Sequence, residues 1–192
     1  MSAVFFVGGT RSGKSALAQA WAEAQAAQRL FVATCQVEDA EMGERVARHQ
    51  AARGEGWQCQ EEALDPLSVL RTFWAGEYGA GVALLDCVSL WVANLLAQHQ
   101  GSAGVMDAIG ALAQALRANR AGLPVALVSS ETGQGIVPLS PLGRLYRDTL
   151  GMANQMLASA CDQVVLVSCG LPLALKGPLP QVFDPPWAKR LI

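Results

Sequence analysis

Eight consecutive residues near the start of the chain, Gly8-Gly9-Thr10-Arg11-Ser12-Gly13-Lys14-Ser15, have the types and spacing needed to hold a polyphosphate. They fit G-x-x-x-x-G-K-[ST], the phosphate-cradling P-loop. Gly8 and Gly13 let the backbone bend around an anion so that successive N–H groups converge on its oxygens. Lys14 brings a positive charge to the β- and γ-phosphates, and the Ser15 hydroxyl suits Mg²⁺. A carboxylate for the same ion closes the apolar run Gly81-Val82-Ala83-Leu84-Leu85-Asp86. A run ending in Asp is common, but downstream of a P-loop it matches the strand whose Asp helps hold Mg²⁺, directly or through water.

A third group is the row Arg45, His49 and Arg53, spaced i, i+4, i+8 on one face of a predicted helix that also carries Met42 and Val46. Residues at this spacing are neighbours on a helix surface. One reading makes His49 a core or subunit-contact histidine. The other makes it a nucleophile: a neutral imidazole attacks phosphorus while guanidinium groups neutralise the charge gathering on the phosphate. The flanking cations disfavour imidazolium and so favour the nucleophilic ring.

The elements that must position these groups alternate along the chain. A strand over Ala3-Val4-Phe5-Phe6-Val7 precedes the P-loop, and a helix from about Lys14 to Gln28 follows, with Leu17, Trp21 and Ala24 on one face. Its N-terminal dipole end aims at the same anion. Leu30–Thr34 is the next strand, and residues 38–53 read as a polar helix. Asp65-Pro66, an N-cap and a proline at the first helical position, opens a helix to about Tyr78 with Leu70, Phe73 and Trp74 inward. After the 81–86 strand come helices at Ser89–Gln98 and about Met106–Ala121, the second ending at Gly122. A strand at 124–128 runs into Ser129-Ser130-Glu131. A Gly- and Pro-containing loop (132–138), a helix from about Leu142 to Ala160 and a strand at 164–167 complete the pattern. Strands alternating with helices at this rhythm predict an α/β fold of the P-loop NTPase type, three layers α/β/α around a mostly parallel sheet. The catalytic domain is expected over 1–170, with 171–192 a proline-rich strand and arm of the same domain, and Leu173–Lys176 a candidate edge strand.

Composition bounds the partners. The 192 residues suit one domain, and 52% hydrophobic against 16% charged residues predicts extensive burial, some of it between subunits. A formal net charge of −2 argues against a nucleic-acid partner, which would favour a basic surface. No apolar run is long enough for a membrane span, and no signal peptide is expected. Five scattered cysteines, odd in number and never spaced C-x-x-C, read as reduced thiols of a cytoplasmic protein.

The P-loop alone leaves a small-molecule kinase, an ATPase and a nucleotide-dependent switch open. Further blocks narrow this. Val32-Ala33-Thr34-Cys35-Gln36, Arg45-Val46-x-x-His49-x-x-x-Arg53-x-x-x-Trp57, Leu84-Leu85-Asp86-Cys87, Glu131-Thr132-Gly133-Gln134-Gly135-Ile136-Val137-Pro138, and Arg147-Asp148 with Asn154-Gln155 stand in the order seen in bifunctional adenosylcobinamide kinase/adenosylcobinamide-phosphate guanylyltransferases of cobalamin biosynthesis. The chain resembles that family from residue 4 to about 170. The resemblance implies phosphorylation of the aminopropanol hydroxyl of adenosylcobinamide by ATP or GTP. It then implies transfer of GMP from GTP through a guanylyl-histidine at His49, giving adenosylcobinamide-GDP and pyrophosphate. It places nucleotide contacts on residues 8–15, on Ala33, Thr34 and Cys35, on Gln50, Ala51, Ala52 and Arg53, and on Glu61 and Asp86. Mg²⁺ would rest on Ser15 and Asp86. The family also implies a homotrimer. Asp86, Cys35 and Gln50 depart from the family's usual Glu, Ser and basic residue. Glu131 either orients the acceptor hydroxyl or fixes its own loop.

Overall fold

The computed structural model describes residues 3–35, 54–98 and 101–180. Seven strands form one sheet: β1 (Ala3–Gly8), β2 (Arg29–Ala33), β3 (Trp57–Glu61), β4 (Val82–Asp86), β5 (Val125–Ser130), β6 (Gln163–Ser168) and β7 (Leu171–Lys176). Their order is β3-β2-β4-β5-β1-β6-β7. All neighbours pair in parallel except β6 and β7, which are antiparallel. Helices α1 (Lys14–Gln25), α2 (Pro66–Trp74), α3 (Val88–Ala97), α4 (Gly101–Ala118) and α5 (Pro141–Ala160) connect them.

The central strands are apolar on both faces, as strands covered on both sides must be. On β1, Val4 and Phe6 pack with Leu17, Ala18, Trp21 and Ala22 of α1. Phe5 and Val7 face the opposite way, into a larger core with Phe73, Trp91, Ile109 and Leu150 from α2 to α5. Three layers result, as expected, with the P-loop strand in the interior of the sheet.

Most elements lie where the pattern put them, and the differences have local causes. Helix α1 ends at Gln25 rather than Gln28, because Ala26 is already extended and the chain must enter β2, whose Arg29 N–H donates to Gly56 O. Ala24 is exposed, and the buried stripe is Leu17, Ala18, Trp21 and Ala22. In α2 the expected cap is present, Asp65 accepting from the Ser68 N–H with Pro66 at the first turn. The helix stops at Trp74 instead of Tyr78, where Gly76 N–H turns back to Phe73 O. Trp74 is only half-buried against the core. Helix α4 starts at Gly101, five residues before Met106, and ends at Ala118. Strand β3 was not expected. Its Trp57-Gln58-Cys59-Gln60-Glu61 is partly or fully exposed along its length, so no apolar run marks it; pairing with β2 and the packing of Trp57 against Phe31 hold it in the sheet. The edge strand expected over 173–176 is β7, two residues longer.

Candidate active site

The site grows out of the carboxyl ends of the parallel strands, the general location of ligand crevices in open α/β sheets. Gly8 ends β1 opposite Ser130 of β5 and Val167 of β6. Asp86 ends β4 opposite Ala33 of β2 and Val128 of β5, and Ala33 stands opposite Glu61 at the end of β3. One strand, β5, therefore separates the Gly8 strand from the Asp86 strand, a spacing of about 10 Å across the sheet.

The loop after β1 is held by its backbone. A Cβ on Gly8 would collide with the Val167 carbonyl and lie 2.7 Å from the Ser12 Oγ. Gly13 takes φ 95°, where other residues are strained, and precedes the first residue of α1. Ser12 N–H donates to Gly9 O at 3.3 Å, and Gly170 N–H donates to Ser12 O at 2.8 Å. The turn between β6 and β7 thus buttresses the cradle from behind. The Lys14 Nζ donates to Gly9 O at 3.0 Å, spanning the loop. Thr10 and Arg11 are exposed, and Ser15 lies in the first turn of α1, where helix N–H groups have no intrahelical acceptor.

Asp86 is fixed through its neighbours. Thr34 N–H donates to Asp86 O at 3.4 Å. The Thr34 hydroxyl donates to Cys87 O at 2.7 Å and accepts from Cys87 N–H at 2.9 Å. Asn94 Nδ2 donates to Thr34 O at 2.8 Å and to Ala63 O at 3.0 Å. Thr34 is fully buried, so its side chain serves as a clip between the ends of β2 and β4. Ala33 and Cys35 are half-buried beside it, and Glu61 is exposed at the next strand end.

Behind these residues runs a chain of polar contacts that the sequence reading did not assign. Cys87 Sγ lies 3.0 Å from Ser89 Oγ, and Ser89 Oγ donates to Ser130 Oγ at 3.3 Å. Ser129 Oγ donates to Asn154 Oδ1 at 2.7 Å, while Asn154 Nδ2 donates to Ser130 O at 3.1 Å. Tyr146 OH donates to Ser89 O at 3.3 Å. The available signal was two serines closing an apolar strand and a buried Asn on the inner face of α5. Burial pushes the Cys87 thiol up to about 11, with the Asp86 carboxylate acting in the same direction and the Ser89 hydroxyl and the Lys14 ammonium opposing it. The thiol is therefore neutral and no nucleophile near neutral pH.

Glu131 follows β5 directly. Its N–H donates to Gly8 O at 2.9 Å and its carboxylate accepts from Gly133 N–H at 3.2 Å. The loop-fixing bond is thus present. His49, Gln50, Ala51, Ala52 and Arg53, with Arg45 of the same row, lie outside the described residues.

The donor set fits Mg²⁺, which prefers oxygen and uses one or two protein ligands beside phosphates and water. Ser15, in the first turn of α1 after the β1 loop, and Asp86, at the end of β4, supply a hydroxyl and a carboxylate. Among the described residues no group of three or more His, Cys, Asp or Glu gathers at one point, and no helix is long and apolar enough to cross a membrane.

Comparison with known proteins shows the family. A model of the family described as cobinamide kinase / cobinamide phosphate guanyltransferase matches residues 4–175. The bifunctional adenosylcobalamin biosynthesis protein CobP of Pseudomonas aeruginosa is 40% identical over 174 residues, covering 89% of this chain and 95% of the relative. The corresponding CobU proteins of Escherichia coli and Salmonella typhimurium are 37% and 36% identical over 185 residues, each covering 90% of this chain and 99% of the relative. Among solved structures, a KaiC-like protein from Pyrococcus horikoshii superposes with a TM-score of 0.50 at 14% identity, covering 86% of this chain and 70% of that one. That likeness shows the fold alone. The family match spans the cradle, all five described helices, strands β2 to β6 completely and all but one residue of β1 and of β7, and the relatives align over nearly their whole length. This chain belongs to the cobinamide kinase / cobinamide phosphate guanyltransferase family.

Proposed function

We propose that this chain performs two successive transfers at the carboxyl end of its sheet. In the first, the terminal hydroxyl of the aminopropanol arm of adenosylcobinamide attacks the γ-phosphorus of ATP or GTP. The bond to the β,γ-bridging oxygen breaks, the nucleoside diphosphate leaves, and the hydroxyl proton passes to solvent. In the second, an imidazole nitrogen of His49 attacks the α-phosphorus of GTP and pyrophosphate leaves. A phosphate oxygen of adenosylcobinamide phosphate then displaces the imidazole, giving adenosylcobinamide-GDP.

The observation that carries this reading is that the 8–15 cradle and Asp86 stand at the carboxyl ends of β1 and β4, the two strands that flank β5, in a chain of this family. Phosphoryl transfer is mostly positioning and charge neutralisation. Residues 8–13 supply N–H donors for the phosphates. Lys14 exchanges its bond to Gly9 O for phosphate oxygens, and Ser15 and Asp86 hold Mg²⁺, which when bound neutralises phosphate charge. Ala33, Cys35 and Glu61 line the β2–β3 side as nucleotide contacts. Thr34 acts there through its clip on Cys87, and Gln50, Ala51, Ala52 and Arg53 contact the nucleotide beside His49.

The scattered thiols suit a cytoplasmic protein. The exposed Leu171, Leu173 and Leu175 on one face of β7 support burial between copies in a homotrimer. Intact mass after incubation with GTP and Mg²⁺ tests the central step. A GMP adduct in the wild type that is acid-labile and absent from His49→Ala is expected. No adduct in the wild type returns the chain to a kinase of a small metabolite.

A further inference from the structure

The loop between β5 and α5 presents apolar side chains to water in a way that nothing above uses. Ile136 and Leu139 are each 97% exposed, and Val137, Leu142 and Leu145 are also open to solvent. One exposed leucine means little, but five apolar side chains within ten residues make a patch that monomeric surfaces rarely carry without a binding role.

This patch is held rather than left to collapse. At one end Gly133 N–H donates to the Glu131 carboxylate at 3.2 Å. At the other, Arg144 Nη1 donates to Pro138 O at 3.0 Å and to Leu139 O at 2.7 Å, and Ser140 caps α5 by accepting from Gly143 N–H at 3.1 Å. The backbone is tied inward by its carbonyls, which leaves the side chains of the loop turned out. Both flanks of the patch are joined to the phosphate-handling residues. Glu131 N–H donates to Gly8 O at 2.9 Å in the cradle, and Tyr146, one residue after Leu145, donates to Ser89 O, three residues beyond Asp86. From Glu131 to Ile136 the chain spans at most about 18 Å fully extended. Ile136 therefore lies within that reach of Glu131, the residue bonded to the cradle.

We propose that Ile136, Val137 and Leu139, backed by Leu142 and Leu145, form the docking surface for the methyl-bearing edge of the acceptor's macrocycle. The ring rests on this loop while its hydroxyl arm extends past Glu131 to the cradle. This rests on the proposed kinase reading and specifies where its acceptor binds. The occupant follows from chemistry and continuity. The loop that carries the patch is bonded through Glu131 to the cradle, and cobinamide is a large ring whose edge bears methyl groups between carboxamide arms and a single hydroxyl-ended arm. An apolar surface on a loop tied to a phosphate cradle matches the ring's methyl groups and its hydroxyl-ended arm. Binding energy from such a remote, non-reacting part of a substrate serves to place the reacting end.

The test is steady-state phosphorylation of adenosylcobinamide by wild type and by the double variant Ile136→Ser/Leu139→Ser, with particle mass measured by light scattering. The expected result is a rise of about tenfold or more in KM for adenosylcobinamide, with KM for the nucleotide within about twofold of wild type. An active wild type and an unchanged acceptor KM in the variant overturn the docking surface and leave the kinase reading standing. An inactive wild type overturns both. Loss of subunit association in the variant overturns the proposal in favour of a face between copies of this chain.

Discussion

Lys14 and Gly8 show how closely residue type and chemistry are tied in the cradle. The Lys14 ammonium spans the loop to Gly9 O, and its charge is felt as far as the Cys87 sulfur. Removing it deletes a charge that the transferring phosphoryl group needs, while the bond it makes in the protein is exposed and of little structural weight. Lys14→Ala is expected to lower phosphorylation of adenosylcobinamide at least about 100-fold with little change in unfolding midpoint. A full rate in that variant removes the P-loop from the mechanism. Gly8 is different, because its missing side chain is the feature. A methyl group there meets the Val167 carbonyl and the Ser12 Oγ, and backbone cannot move aside as a flexible side chain can. Gly8→Ala is expected to cost about 1–3 kcal/mol of stability and to weaken nucleotide binding at least about tenfold, read by urea unfolding and by titration with nucleotide. Tight nucleotide binding in Gly8→Ala contradicts the cradle geometry. Both residues were legible from the pattern alone, since G-x-x-x-x-G-K-S specifies backbone conformation as well as charge.

Between elements, the site depends on joints that no motif announces. Thr34 is the clearest. Val32-Ala33-Thr34 reads as the end of a strand, yet the hydroxyl makes a reciprocal pair of hydrogen bonds with the backbone of Cys87 and so locks β2 to the residue after Asp86. Thr34→Val keeps the shape and removes both bonds, leaving a backbone N–H without its partner. The expected cost is about 1–3 kcal/mol, seen as a lower urea midpoint at unchanged slope, together with weaker Mg²⁺-dependent nucleotide binding. An unchanged midpoint means the clip is idle. The strands β1, β4, β5 and β6 could be read directly because both faces of each are buried and the apolar runs are continuous. Strand β3 was hidden because it sits at the sheet edge and its Gln58, Cys59 and Glu61 face water. The network through Ser89, Ser129, Ser130 and Asn154 was hidden for another reason. Its members lie far apart in sequence, and their meeting depends on β4 and β5 being neighbours, which follows from topology and not from local pattern.

At the scale of the whole molecule, the two apolar layers that make the sheet stable also bury thiols, and this gives the protein's stability a pH dependence. Cys161 closes α5 with 1% of its surface exposed. Burial raises its thiol from 9.0 to about 12, the nearby Lys176 ammonium opposing and the Asp162 carboxylate assisting. Cys87 is raised to about 11 by burial and then by Asp86, but it keeps part of its surface in water, so its contribution to stability is smaller. For both groups the native state keeps its proton at a pH where the unfolded chain has released it. Below pH 9 folded and unfolded thiols are equally protonated, so neither cysteine alters stability with pH. Between pH 9 and about 12 the unfolded state gains by ionising, and stability falls as pH rises. The limiting slope is about 1.4 kcal/mol per pH unit for one fully buried thiol. Urea unfolding at pH 7.5, 9 and 10.5 checks this: the free energy is expected to be flat over the first interval and to fall over the second. In Cys161→Ala, which removes the sulfur and its titrating proton, the fall is expected to be shallower by an amount close to that single-thiol slope. An identical alkaline loss in wild type and Cys161→Ala would falsify the assignment and move the titrating groups to the surface, whereas a shallower loss in the variant locates the alkaline weakness where α5 meets the sheet.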